Sequence, residues 1–101
     1  MEDRFIEVSN YVKKIKRKFE PERVILFGSY AYGKAGKDSD VDLLVVMETE
    51  LRSVEQAILI RKELPSSFPL DLIVKKPKEV KNRIKKGDFF LKSILEKGKE
   101  L

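Results

Sequence analysis

Three aspartates are the residues of this sequence best placed to do chemistry together. Asp40 and Asp42 stand two positions apart where the apolar run of residues 41–47 begins, and Asp71 lies inside the apolar run of residues 70–74. Residues two apart on a strand point to the same side of its sheet. Carboxylates held side by side repel one another, and a divalent cation converts that repulsion into coordination. If the two strands are neighbours, the three carboxylates form the ligand set of a two-metal site for phosphoryl-type transfer.

A glycine–serine turn supplies a second element of the same chemistry. Gly28 and Ser29 follow the apolar run of residues 24–27, a pattern typical of a buried strand that ends in a turn. A glycine lets the backbone approach a phosphate closely, and the N–H groups of the turn can bind phosphate oxygens. We expect residues 30–33 to form a helical turn whose N-terminus adds positive potential.

Each motif also has a purely structural interpretation. Serine and aspartate are ordinary turn residues, so residues 39–42 alone could be a turn and the start of a strand. A glycine–serine pair alone is more often an ordinary turn than a phosphate site. Together the motifs are more specific, because a glycine turn, a paired aspartate soon after it and a third aspartate in a later apolar strand coincide rarely by chance.

Composition restricts the chemistry further. The 101 residues contain no Cys and no His, which excludes disulfides, a cysteine nucleophile, and thiolate or imidazole metal ligands. Any metal must therefore be bound by oxygen, which suits magnesium, manganese or calcium. The net charge of +5 favours an anionic partner such as a nucleotide or a nucleic acid. The apolar runs are far shorter than a membrane span and the N-terminus lacks the apolar segment of a signal peptide, so we expect a cytoplasmic protein with no membrane partner.

The hydrophobic pattern predicts one domain over residues 1–101, with helices and short strands in alternation. A first amphipathic helix ends at Pro21, and strands follow near residues 24–27 and 41–47. A second helix begins at Ser53, with Gln56 completing a capping box, and ends at Pro65. Its expected inward-facing residues are Val54, Ala57, Ile58, the side of Ile60 or Arg61, and Leu64.

The C-terminal half is expected to complete a small mixed sheet of three or more strands flanked by helices, an α/β or α+β fold. Residues 70–74 are the third predicted strand. A short basic helix closed by Gly87 and a last helix closed by Gly98 follow it.

These residues resemble a known family. Gly28, Ser29 and Gly33, the segment Ser39-Asp40-Val41-Asp42-Leu43, and the distal Asp71 are similar to the signature of the polymerase-beta-like nucleotidyltransferase superfamily. In size the chain resembles its smallest branch, the minimal nucleotidyltransferases (MNT) of bacteria and archaea. The resemblance implies that family's fold, a nucleoside triphosphate donor such as ATP, and two Mg²⁺ ions, with Mn²⁺ as an alternative. It also implies attack of an acceptor hydroxyl on the α-phosphorus, with pyrophosphate leaving.

The resemblance also implies a role for each matching residue. Asp40, Asp42 and Asp71 are the expected catalytic and metal-binding residues, with Asp71 helping to deprotonate the acceptor. Nucleotide binding is expected to involve Gly28, Ser29, Lys34, Lys37 and Ser39. Where many relatives have arginine this chain has Tyr30 and Tyr32, so Lys34 and Lys37 are the expected cationic contacts to the triphosphate.

The implied partner is a HEPN-domain toxin, which an MNT antitoxin neutralises by adenylylating a toxin tyrosine, by covering it, or by both. Two other hypotheses remain: a catalytically weak or inactive MNT-fold antitoxin that acts by complex formation, and an RNA-binding protein. Residues 75–86 hold seven basic residues against one acidic, which fits a solvated helix face or a nucleic-acid contact. Phe89, Phe90 and Leu91 are consecutive, so one helix face cannot bury all three, and an exposed residue could serve self-association.

Overall fold

The computed structural model describes residues 2–36 and 38–101 and contains four helices and four strands in that range. The predicted order of helices and strands is confirmed, and a two-residue C-terminal strand is added to it. In chain order the elements are α1 (Glu2–Phe19), β1 (Arg23–Phe27), β2 (Val41–Val46), α2 (Ser53–Glu63), β3 (Leu70–Lys75), α3 (Pro77–Lys85), α4 (Phe89–Lys97) and β4 (Lys99–Glu100). Among these residues no helix combines the length and the apolar character that crossing a bilayer requires.

The four strands form one mixed sheet in the order β3-β2-β1-β4. The pairs β1–β2 and β1–β4 are antiparallel, whereas β2–β3 is parallel. A parallel pair of consecutive strands requires a crossover connection, and α2 provides it. The predicted fold class, a small mixed sheet flanked by helices, is therefore confirmed.

Helices cover both faces of the sheet. On one face, α1 and α2 pack against alternate strand residues, and Ile15, Leu43 and Ile60 are completely buried there. On the other face, Leu91 and Ile94 of α4 pack against Leu44, with α3 adding partly buried apolar side chains. Because each strand alternates its side chains between the two faces, the sheet contributes to two separate apolar cores.

The start of α2 differs from its prediction. Ser53 is the first helical residue rather than the cap, and the N–H of Arg52 donates to the Glu55 carboxylate at 3.1 Å. The Ser53 hydroxyl donates instead to Glu79 of α3, which joins the two helix starts. Gln56 is buried and accepts a hydrogen bond from Thr49 at 2.6 Å. The prediction was one residue out of register because the charged Glu55 carboxylate provides a stronger acceptor than the neutral amide of Gln56.

The inward face of α2 was also only partly predicted. Ile60 is fully buried, and Ala57 and Leu64 pack against the core as expected. Val54 and Ile58 are instead 70% and 60% exposed. These two residues are four positions apart and form an apolar stripe on the outer side of the helix.

Gly98 is required where α4 joins β4. A side-chain methyl at this position would lie 2.5 Å from Ile25 Cγ2 and 2.6 Å from the Ile94 carbonyl oxygen. We expect Gly98→Ala to lower the free energy of unfolding by about 1–3 kcal/mol, because the strand and helix must separate to admit the methyl. Urea denaturation of the purified protein measures this change.

Gly36→Ala is the matched control for that substitution. The nearest atom to an added methyl at Gly36 is Ser39 Oγ at 3.9 Å, which is ordinary contact. We expect this variant to unfold at the same urea concentration as the wild type or slightly above it. Equal stability of the two alanine variants would show that the approach at Gly98 is not tight.

Candidate active site

The site forms where β2 and β3 lie side by side. Asp42 is the second residue of β2 and Asp71 the second residue of β3, and the parallel register aligns them with each other. Aligned residues of neighbouring strands point to the same face of a sheet. The condition for convergence, that the strand bearing Asp71 lies beside the strand bearing Asp42, is therefore met.

The electrostatics of this pair are unfavourable for two negative charges. Burial raises the pKa of the Asp42 carboxyl above its ordinary value, and the negative charges of Asp71 and then of Asp40 raise it further. The pair therefore favours a shared proton or a bound cation, since either one relieves the repulsion.

Asp40 acts on the site through its negative charge, and its side chain does not join those of Asp42 and Asp71 at one point. It is exposed, it lies one residue before β2, and it is close enough to raise the pKa of Asp42. Across residues 2–36 and 38–101, no group of three acidic side chains stands close enough together to hold one metal ion. The structure thus brings together two of the three predicted ligands, Asp42 and Asp71.

The donor set at this position still fits a magnesium ion. Both Asp42 and Asp71 provide carboxylate oxygens, and magnesium is commonly held by one or two protein carboxylates with water and substrate phosphates completing its shell. The raised pKa of Asp42 is a second sign of fit, because a divalent cation beside it would favour its ionised form.

Gly28 borders the pair directly. Its φ of +74° lies in the left-handed region, and a methyl added to it would stand 2.1 Å from Asp42 Oδ2. Any side chain at this position would displace the carboxylate, so glycine is required by Asp42 as well as by the turn. This close approach places the turn after β1 against the acidic pair.

The turn itself has the hydrogen bonds of one helical turn, as predicted, and does not continue into a helix. The N–H groups of Ala31 and Tyr32 both donate to the Gly28 carbonyl, at 3.0 and 3.2 Å. The hydrogen bonds found within residues 2–36 and 38–101 give no protein acceptor to the N–H groups of Ser29 and Tyr30. Those two donors are available to the oxygens of an anion at this position.

The other residues predicted to bind the nucleotide are placed less directly. Ser39 Oγ accepts a hydrogen bond from the Gly36 N–H at 2.9 Å, so this hydroxyl closes the loop that precedes β2. Lys34 is exposed after the turn, and the predicted contact by Lys37 falls outside the described residues. Ser29 is half-buried in the turn. Nucleotide binding by these residues stays a prediction.

Two aromatic residues beside the carboxylates were missed by the sequence reasoning. Phe27 is directly opposite Asp42 in the antiparallel register, so Phe27, Asp42 and Asp71 occupy one row across three strands. The Phe90 ring of α4 packs edge-on against Phe27, with 5.9 Å between ring centroids and 84° between ring planes. Three consecutive apolar residues, Phe89, Phe90 and Leu91, predict an exposed aromatic side chain. The place of that side chain beside Asp42 depends on strand and helix pairings that the sequence does not show.

The tyrosines of the turn point to different surroundings. Tyr30 packs against the core covered by α1 and α2, whereas Tyr32 is 44% exposed.

The basic residues of α3 lie on the exposed side of that helix, and Val80 and Ile84 pack towards the sheet. Exposure of these basic residues is compatible with a solvated helix face and with a nucleic-acid contact alike.

Comparisons with known proteins find relatives of this chain. The family model described as nucleotidyltransferase domain matches residues 8–101. A provisionally named protein adenylyltransferase of Methanocaldococcus jannaschii is 31% identical over 75 residues, covering 68% of this chain and 76% of the relative. The protein adenylyltransferase MntA of Thermococcus cleftensis is 37% identical over 65 residues, covering 62% of this chain and 65% of the relative.

Solved structures show the same fold. A crystal structure from Sulfolobus solfataricus, described as that of a nucleotidyltransferase, superposes with a TM-score of 0.59 at 26% identity, covering 76% of this chain and 69% of the other. A toxin–antitoxin crystal structure with AMP-PNP superposes with a TM-score of 0.58 at 23% identity, covering 90% of this chain and 69% of the other. At this identity the second match concerns the fold alone.

The repulsion at the acidic pair leads to a testable consequence for stability. Because the folded state raises the pKa of Asp42, the folded protein binds a proton there more tightly than the unfolded chain. This group therefore stabilises the fold fully below its unfolded pKa, and the stabilisation is lost as the pH rises through the folded pKa. We expect Asp42→Asn, studied in chelator at pH 7, to keep or raise the free energy of unfolding, with a gain below about 1 kcal/mol.

The gain should disappear in acid, where the wild-type Asp42 is already protonated. Asp88→Ala is the contrasting variant, because the Asp88 side chain accepts a hydrogen bond from the Leu91 N–H and caps α4. Its loss should cost about 0.5–2 kcal/mol. If Asp42→Asn destabilises the protein as much as Asp88→Ala does, Asp42 serves to stabilise the fold and not to bind a cation.

Proposed function

Since the chain belongs to the nucleotidyltransferase domain family and is a nucleotidyltransferase, we propose that it transfers AMP from ATP to a hydroxyl of a partner protein. The relatives from Methanocaldococcus jannaschii and Thermococcus cleftensis are both named protein adenylyltransferases, which supports a protein acceptor. We further propose that the protein acts as the antitoxin of a toxin–antitoxin pair, and that its partner is a HEPN-type toxin.

The observation that best supports the proposal is the row of carboxylates beside the glycine turn. Asp42 and Asp71 are aligned on one face, and Gly28 brings the turn against Asp42. The turn presents N–H donors and the pair presents anionic oxygens, so a nucleotide phosphate and a cation can be held between them. Phosphoryl-type transfer depends on such positioning and on charge stabilisation.

The proposed reaction forms a bond between the acceptor oxygen and the α-phosphorus of ATP. The bond between the α-phosphorus and the bridging oxygen breaks, and pyrophosphate leaves with the electron pair. The acceptor hydroxyl loses its proton. Magnesium, when bound, would neutralise the charge that develops on the phosphate oxygens, and Asp42 and Asp71 are the residues that would hold it, with Asp40 adding negative charge beside them.

Within this scheme the residues of the chain have separate tasks. The N–H groups of Ser29 and Tyr30 bind the phosphate tail, and Lys34 contributes positive charge beside it. Asp71 is at the exposed end of the row, where an incoming hydroxyl can reach it, and it accepts the proton of that hydroxyl. Asp42 lies between the phosphate-binding turn and Asp71 and keeps these two parts of the site in position.

The acceptor is expected on another molecule. Asp40 and Asp71 are exposed, so the row is open to a large acceptor. A tyrosine of the toxin is the proposed acceptor.

Transfer of label tests the activity. We expect the protein, incubated with Mg²⁺, α-labelled ATP and its cognate HEPN-type toxin, to label the toxin, whereas γ-labelled ATP should leave it unlabelled. Asp42→Asn should lower the rate at least about 100-fold while the complex with the toxin still forms. Mass spectrometry of the labelled toxin identifies the modified residue.

Asp38→Asn is the matched control. Asp38 is an exposed aspartate of the loop before β2 and is not part of the row formed by Asp42 and Asp71. This variant should label the toxin at the wild-type rate. A tight wild-type complex that transfers no label from any of the four nucleoside triphosphates would contradict the catalytic proposal. The alternative of an inactive antitoxin that acts by binding would then replace it.

A further inference from the structure

An aromatic ring borders the carboxylate row on the β1 side. The Phe27 ring lies next to Asp42 on the same face, because residues directly opposite in antiparallel strands have Cα atoms about 4.5–5.5 Å apart. Phe90 extends this row by one ring, at 5.9 Å from Phe27. The order across the site is therefore Phe90, Phe27, Asp42 and Asp71.

The Phe90 side chain is not needed to attach its helix to the sheet. Leu91 and Ile94 are buried and supply the contact of α4 with the sheet, whereas Phe90 stays 60% exposed. Leaving a large apolar ring in water forgoes most of the stabilisation that its burial would give. An exposed ring held in place by a buried one is suited to receive another flat apolar group.

Helix geometry separates Phe90 from the other exposed phenylalanine. Successive helical residues are rotated by about 100°, so Phe90 is on the flank of the buried face centred on Leu91 and Ile94. Phe89 is about 100° further round, nearly opposite that face, and it is 82% exposed. Phe90 borders the site, and Phe89 points away from the sheet.

The position of the phosphate-binding turn indicates what Phe90 contacts. Gly28 directly follows Phe27 on β1, so the phosphates of a donor nucleotide would lie at the β1 end of the row, on the side of Phe90. Asp71 is at the opposite end and is exposed to an acceptor. Of the parts of a donor nucleotide bound there, the base is the flat apolar group that an exposed ring such as Phe90 could receive.

We propose that Phe90 is the base-stacking residue of the donor site, where the purine of the nucleoside triphosphate packs on its ring. This inference rests on the proposed function, because it places the donor phosphates at the turn. Stacking on an aromatic side chain strengthens binding of the base without selecting its hydrogen-bonding groups. Phe27 is a positioning residue that keeps the Phe90 ring beside the carboxylates.

Calorimetric titration in Mg²⁺ tests this role with the full chain and no partner. We expect Phe90→Leu, which keeps an apolar contact with Phe27 and loses the flat ring, to raise the Kd for ATP about tenfold or more. The Kd for tripolyphosphate, which has no base, should stay within about twofold of the wild type. Phe89→Leu is the matched control, and its Kd for both ligands should equal that of the wild type.

Nuclear magnetic resonance gives a readout that does not depend on affinity alone. With ATP bound, the adenine protons should show Overhauser contacts to the Phe90 ring, and these contacts should persist in Phe89→Leu. Equal ATP affinity of Phe90→Leu and wild type, with no such contacts, would overturn the stacking role while leaving the proposed function intact. Failure of the wild type to bind ATP would overturn both.

A third outcome concerns the partner protein. If Phe90→Leu binds ATP as the wild type does and loses its complex with the toxin, the ring serves protein docking and the stacking proposal is wrong. A circular dichroism melt of each variant confirms that the comparison is made between folded proteins.

Discussion

The placement of two carboxylates side by side, Asp42 and Asp71, is the constraint on which the rest of the structure depends. Two like charges aligned on neighbouring strands are costly in a sheet interior, and they are tolerated here because they lie where the strands begin and Asp71 is exposed. Two residues further along β2, on the same face as Asp42, the Leu44 side chain is completely buried. The site is therefore a polar edge on an apolar sheet, and a proton or a cation completes its charge balance.

The surrounding fold keeps this edge in one geometry. Apolar cores on both faces fix β1, β2 and β3 in register, and the α2 crossover makes the β2–β3 pair parallel, so that both aspartates are found at the same end. The short β4 is joined to β1 through the Arg23–Glu100 ion pair at 2.7 Å, which also lowers the pKa of the Glu100 carboxyl. Because β4 directly follows α4, this attachment also holds the C-terminal end of α4 beside β1.

The openness of the site is consistent with a protein acceptor. A small-molecule site usually encloses its ligand, whereas here Asp40 and Asp71 are exposed at the end of a four-stranded sheet. A second molecule can supply the missing wall of such a site, and it then controls both access of the hydroxyl and exclusion of water. The proposed pairing with a toxin and the proposed stacking on Phe90 concern opposite ends of the same row.

The sequence by itself determined the order of the elements, the fold class and the identity of the acidic residues, because these depend on local periodicity and on residue types. It indicated Gly28 for a phosphate turn, and the structure added that any side chain there would displace Asp42. Only the tertiary structure decided that Asp42 aligns with Asp71 while Asp40 stays apart, and that Phe90 reaches Phe27. Those relations join residues far apart in the chain, and the register and helix packing that produce them result from the whole core and have no signature in any local pattern.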